Sequence, residues 1–125
     1  MVTLSYTEER PMPYQDGTYG CPVDRAVQMI SGKWKPRLLF ELQQRKRRFG
    51  ELQRLLPGVS KHVLTVQLRE LEKAGIVSRT VIPTVPPQVF YALTDFGARI
   101  TPVLEQMVEW GEALIAREKK EPGTS

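Results

Sequence analysis

Apolar positions in this 125-residue chain repeat at two different spacings, and the change of spacing marks its organisation. From Cys21 to Ala74 they fall three and four apart, the period of helices. From Ile76 to Leu93 they alternate as strands do, and from Phe96 onward the helical period returns. A first helix is expected to start at Cys21-Pro22, since proline is tolerated in a first turn. Ala26, Val27 and Ile30 give it an apolar side, and Ser31-Gly32 end it. Pro36 opens a second helix with Leu38, Leu39 and Leu42 as its core face, and Trp34 is expected to cap this core. A short third helix covers Phe49 to Leu56, with Phe49, Leu52 and Leu55 or Leu56 inward.

The next stretch organises the rest. Pro57-Gly58 forces a turn, Val59 plugs it, and Ser60 is a preferred N-cap for a helix that runs to Gly75. Leu64, Leu68 and Leu71 form one core-facing stripe. His62, Val66, Arg69 and Lys73 lie opposite, with Thr65 on the flank. Two helices joined by a tight turn with glycine, the second basic on its outer face, make a helix-turn-helix pattern. An ordinary amphipathic helix with a solvated face fits this stretch taken alone.

After Gly75 the β-prone runs Ile76–Ile82 and Gln88–Leu93 predict a two-stranded hairpin, with Val89, Tyr91 and Leu93 on one face. Pro83, Pro86 and Pro87 exclude regular sheet at its tip, so the hairpin reads as a stiff wing. Thr94 caps a last helix expected from Asp95 to about Arg117, with Pro102 as a possible kink. Its stripe is core or a dimer seam. The seam is favoured, through Val103, Met107, Trp110 and Leu114, because the earlier helices already close a domain. Residues 1–20 read as an N-terminal arm, either a plain tail or one whose Tyr14 and Tyr19 pack on a partner subunit. Residues 21–118 are the domain, and 119–125 a flexible tail that frays.

Charge narrows the function. Residues 21–99 hold fourteen Lys and Arg against six Asp and Glu, a local +8, while each end carries −2. A basic middle points to a polyanion such as nucleic acid. No stretch approaches the roughly 20 apolar residues of a membrane span, and no signal-peptide core is present, so a soluble cytoplasmic protein without a membrane partner is expected. One His, one Cys and scattered carboxylates provide no nucleophile–base set, no metal cluster and no cofactor cradle. An enzyme is therefore not expected.

These stretches resemble the HxlR-type family of bacterial winged helix-turn-helix regulators, relatives of the MarR type. The resemblance rests on Cys21-Pro22-Val23, Gly32-Lys33-Trp34, Arg48-Phe49-Gly50-Glu51-Leu52, Pro57-Gly58-Val59-Ser60 and Leu68-Arg69-Glu70-Leu71-Glu72. Gly75-Ile76-Val77-Ser78-Arg79, Val85-Pro86-Pro87, Tyr91-Ala92-Leu93-Thr94, Pro102 and Trp110-Gly111 extend it. It implies an α+β fold, mainly α: a winged helix-turn-helix with a two-stranded wing and a long C-terminal dimerisation helix. It also implies a homodimer on a roughly palindromic double-stranded operator, usually a local repressor and sometimes an activator. Val66 and Gln67 stand where relatives often carry other polar residues, so no operator sequence transfers.

A dimer would set two copies of the Ser60–Ala74 helix in successive major grooves, roughly 34 Å apart. Ser60, Lys61, His62, Thr65, Val66 and Arg69 are then the expected helix contacts. Arg69 is the best fit to guanine, or reaches phosphate only, and His62 contacts DNA or is simply solvated. Arg45, Lys46, Arg47 and Arg48, with Lys35 and Arg37, are expected on the DNA backbone, and Arg79 near the minor groove. Cys21, at a helix start that favours anionic sulfur, is the candidate sensor of an oxidant or small-molecule effector, as several redox sensors of the resembling family use this cysteine. A small packed residue is the alternative. Nonspecific DNA packaging or protein docking remain the rival functions, distinguished by salt-sensitive, sequence-blind binding.

Overall fold

The computed structural model describes residues 20–120, and the N-terminal arm and the last five residues lie outside them. The chain separates into two units, residues 1–32 and 33–125. In the first, α1 spans Pro22–Ile30 with Cys21 as its N-cap residue and Pro22 at its start. No residue of α1 is buried.

The second unit begins with α2 (Lys35–Gln44), a two-residue strand β1 (Arg47–Arg48), α3 (Phe49–Leu55) and α4 (Lys61–Lys73). Strands β2 (Val77–Ile82) and β3 (Gln88–Leu93) follow, then a 3₁₀ turn at Gly97–Ile100 and α5 (Thr101–Lys120). Leu38, Leu39 and Leu42 of α2 meet Leu52 of α3, Leu56, and Leu64, Leu68 and Leu71 of α4 in one core, all at 3% exposure or less. Each such leucine stabilises the fold by roughly 1.5–3 kcal/mol. Val77, Ile76, Tyr91 and Leu104 extend this core toward the sheet and α5.

The two-stranded wing is present as the β2–β3 hairpin, and a third strand joins its sheet. β1 pairs with β3, giving an antiparallel sheet in the order β1-β3-β2. Arg47 stands opposite Tyr91, and Arg48 opposite Phe90. On the other side of β3, Arg79 stands opposite Tyr91 and Thr80 opposite Phe90. A strand of two arginines has no apolar alternation to announce it, so hairpin pairing alone was expected.

The last helix also differs from expectation. Thr94 makes a cap, its hydroxyl accepting from the Gly97 amide at 3.0 Å and donating to the Gly75 carbonyl at 2.6 Å. What it caps is a turn and a 3₁₀ segment, and the α-helix proper starts only at Thr101. The backbone passes close to its neighbour here: a Cβ at Gly97 would overlap the carbonyl of Ile76, the residue before β2. Pro102 is the second residue of α5, where no intrahelical N–H is needed, and α5 is assigned without a break from Thr101 to Lys120. α5 packs against α2, with Leu104 as its buried residue.

Candidate nucleic-acid interface

The turn before α4 is built locally. Gly58 takes φ 91°, a left-handed conformation that a Cβ would strain. Val59 is buried beneath it and donates its amide to the Leu56 carbonyl at 3.1 Å. Ser60 then caps α4, its hydroxyl accepting from the Val63 amide at 3.1 Å. Gly75, at φ 76°, closes the other end.

With its leucines locked inward, α4 shows three further surfaces at about 100° per residue. His62 and Lys73 point outward and are exposed, with Val66 half-buried between them. On one flank Glu70 pairs with Lys35 of α2, whose side chain keeps 16% of its surface. On the other flank Lys61, Thr65, Arg69 and Glu72 form a stripe that lines an open cleft of about 590 Å³. Arg79, Val89 and Tyr91 of the sheet make the far wall, with Phe49 beside them. Arg69 therefore borders the cleft as well as the outer face. Thr65 donates its hydroxyl to the Lys61 carbonyl at 2.7 Å. Lys61, Arg69 and Arg79 form no ion pair with any described residue.

The basic run 45–48 behaves differently from a solvated linker. Arg47 is buried, which removes it from the expected backbone contacts. Its guanidinium donates to Glu41 at 3.2 Å, to Glu51 at 3.0 Å and to Gln44 at 3.3 Å, and its Nε to the Glu41 carbonyl oxygen at 3.2 Å. Arg37 adds a 2.9 Å bond to the buried Glu41, and Arg45 pairs with Glu51. Partial burial works to raise the Glu51 carboxyl, but the Arg47 bond, the Arg48 amide and the Arg45 charge outweigh it and hold it below the usual glutamate value. The physical reason for the correction is the pleat: Arg47 shares the inner sheet face with Tyr91, and only paired charge is tolerated there.

Lys46 and Arg48 are exposed. The Lys46 ammonium sits 5.0 Å and the Arg48 guanidinium 5.3 Å from the centre of the Phe90 ring. Arg48 also donates to Gln88 at 2.9 Å, so both charges are held against the outer face of the wing. Arg45 and Arg37 keep more than half of their side-chain surface despite their ion pairs. Glu41, Glu51, Glu70 and Phe90, which order these cations, were not singled out in the sequence. Glu41, four residues after Arg37 on one helix, was a traceable signal, since that spacing faces a pair along a helix, and Glu51 stands four residues after Arg47 as well.

The remaining sequence candidates belong to α1 and α5 and their ends. Cys21 is exposed and outside any disulfide, and α1 begins immediately after it. Val103, Met107 and Trp110 of α5 are 51%, 42% and 68% exposed, and Leu114 is half-buried. Among the described residues no group of three or more His, Cys, Asp or Glu is placed to hold a metal ion, and no helix is long and apolar enough to cross a membrane.

Comparison with known proteins matches the architecture. The model of the HxlR-like helix-turn-helix family covers residues 29–119. The uncharacterized HTH-type transcriptional regulator YdeP of Bacillus subtilis is 46% identical over 97 residues, which are 78% of this chain and 76% of that protein. Among solved structures, the redox regulator HypR in its reduced form superposes with a TM-score of 0.76 at 42% identity, covering 81% of this chain and all of that one. The reduced form of the transcriptional regulator YodB from B. subtilis gives 0.65 at 32% identity, over 82% of this chain and 97% of that one. HxlR and MarR-type regulators share the winged helix-turn-helix fold found here, and the chain belongs to the HxlR-like helix-turn-helix family of transcriptional regulators.

Proposed function

We propose that the protein is a sequence-specific DNA-binding regulator that acts as a homodimer on a pseudo-palindromic operator, usually to repress. The observation that carries this reading is α4 itself. It is capped at both ends, locked by three buried leucines, and turns His62, Val66, Arg69 and Lys73 away from the core. Lys61, His62 and Arg69 reach base edges or the phosphates beside them, with Ser60, Thr65 and Val66 at the entry of the helix. Lys46, Arg48, Arg45 and Arg37 supply phosphate contacts that carry no sequence information, and Lys35 contributes less because Glu70 holds it. Arg79 approaches from the wing. The exposed apolar row Val103, Met107 and Trp110, with Leu114, supports the dimer seam, since an uncovered patch of this kind marks an interaction surface. In fluorescence anisotropy, Arg69→Ala is expected to cost about 1–3 kcal/mol on the operator and to relax discrimination. Equal losses on operator and random DNA would remove its specificity role.

A second reading concerns the switch. Cys21 is an exposed thiol at the start of α1, and the similar proteins HypR and YodB have been solved in reduced forms, HypR being named a redox regulator. Diamide would take two electrons and two protons from a pair of thiols, forming the hydrazine and a disulfide between Cys21 and the partner's Cys21 or a small thiol. Diamide is expected to change DNA affinity of the wild type and to leave Cys21→Ser unaffected. The same response in both proteins would end this reading.

A further inference from the structure

An exposed arginine is ordinarily a mobile charge, because its long side chain has many rotamers to lose. Arg45, the residue that ends α2, is an exception. Its side chain keeps 60% of its surface, yet it pairs with Glu51 Oε2 through one terminal nitrogen. The other terminal nitrogen donates to the Lys46 carbonyl at 3.1 Å. Glu51 is itself fixed from behind. The same Oε2 accepts from the buried Arg47 at 3.0 Å, and Oε1 accepts from the Arg48 amide at 3.4 Å. A guanidinium has five N–H donors, so two anchors leave others free for a further anion.

We propose that Glu51 is a positioning residue for DNA binding: through the Arg45 guanidinium it presets a contact to a phosphate of the DNA backbone. The inference rests on the DNA-binding reading above and adds to it a role for an acid on a basic surface. The neighbouring cations of the same run are ordered too, Lys46 and Arg48 being held against the Phe90 ring. Arg37 repeats the arrangement, since the buried Glu41 that holds it is backed by Arg47 as well.

Magnitudes decide the sign. Taking an acid off a surface that meets phosphates strengthens the attraction. One charge about a Debye length from the phosphate, however, changes the binding constant by less than about twofold. A long side chain that must be ordered at the moment of binding costs roughly three- to tenfold. Positioning therefore outweighs repulsion, and removing this negative charge is expected to weaken DNA binding. Glu51 also closes the first turn of α3 through the Arg48 amide, and a role confined to stability predicts no dependence on Arg45.

A double-mutant cycle read by fluorescence anisotropy on a random-sequence duplex tests this, with each variant's fold checked by circular dichroism. Arg45→Ala is expected to weaken binding and to lower the salt slope by about 1. Glu51→Ala should weaken it about three- to tenfold at an unchanged slope, since the arginine still reaches its phosphate. In the Arg45→Ala background, Glu51→Ala should change affinity by less than about twofold. Tighter or unchanged binding by Glu51→Ala, or an equal loss in both backgrounds, would overturn the proposal. Should Glu51→Ala unfold, Glu51→Gln carries the same cycle, because it removes the charge and keeps an oxygen for the Arg48 amide. A loss that needs Arg45 supports the role, and one that does not removes it. An Arg45→Ala protein that binds as tightly as the wild type, at the same salt slope, would strike Arg45 from the phosphate contacts and the positioning role with it. A wild-type protein that binds no DNA would overturn the DNA-binding reading first and this role in consequence.

Discussion

Arg47 and Arg48 are chain neighbours with identical side chains, and they end in opposite environments. Arg47 points to the inner sheet face, where Glu41 and Glu51 neutralise it and join α2, β1 and α3. Arg48 points to the outer face, where it rests on Phe90 with Lys46 and stays in water. The side-chain period of a strand makes this division, and a basic run becomes one structural charge set among several available ones. Counting positive charge along a sequence therefore overstates the surface offered to a polyanion.

The contrast can be broken by substitution, and the buried side should break hardest. Arg47→Ala removes one of the two guanidinium partners of the buried Glu41 carboxylate, with Arg37 remaining, and is expected to destabilise the fold by about 1.5–3 kcal/mol in urea unfolding. A variant as stable as the wild type that instead loses DNA affinity would return Arg47 to the binding surface. On the exposed side, Lys46→Ala and Arg48→Ala should each weaken operator and random DNA alike and lower the salt slope by about 1, with stability nearly unchanged. If either variant unfolds as readily as Arg47→Ala, the two faces are not functionally distinct.

The smallest effect should appear in acid. Glu51 lies below its ordinary value in the folded protein, so its contribution is fully present above the unfolded-state value of about 4.3 and is lost as pH falls through the lowered one. Glu51→Gln should flatten that acidic limb of the stability curve and leave its neutral shape alone. An unchanged limb would mean the Arg45 and Arg47 contacts are no stronger in the fold than in the open chain.

Much of this architecture was legible in the residue order because its causes are local. Ser60 capping α4, Gly58 and Gly75 at positive φ, and the leucines at 64, 68 and 71 follow from turn chemistry and a 3.6 period, and the structure shows each. The misses share a different cause. β1 is a strand through its pairing with β3, and the 3₁₀ segment before α5 lies where Gly97 comes against the Ile76 carbonyl, a contact from far back in the chain. In the site, the helix pattern placed Arg69 on the outer face, yet the cleft it borders depends on Arg79 and Tyr91, which other elements bring near.

By itself the sequence determined the helices, the caps, the wing and the inward faces, since these depend on contacts within a few residues. Tertiary structure alone decided which charges are neutralised and which remain available. Burial and pairing depend on groups far apart in the chain, as Lys35 with Glu70 and Arg48 with Gln88 show. A side chain's charge is written at its position, but whether water, a carboxylate or a ligand answers it is set by what the fold puts opposite.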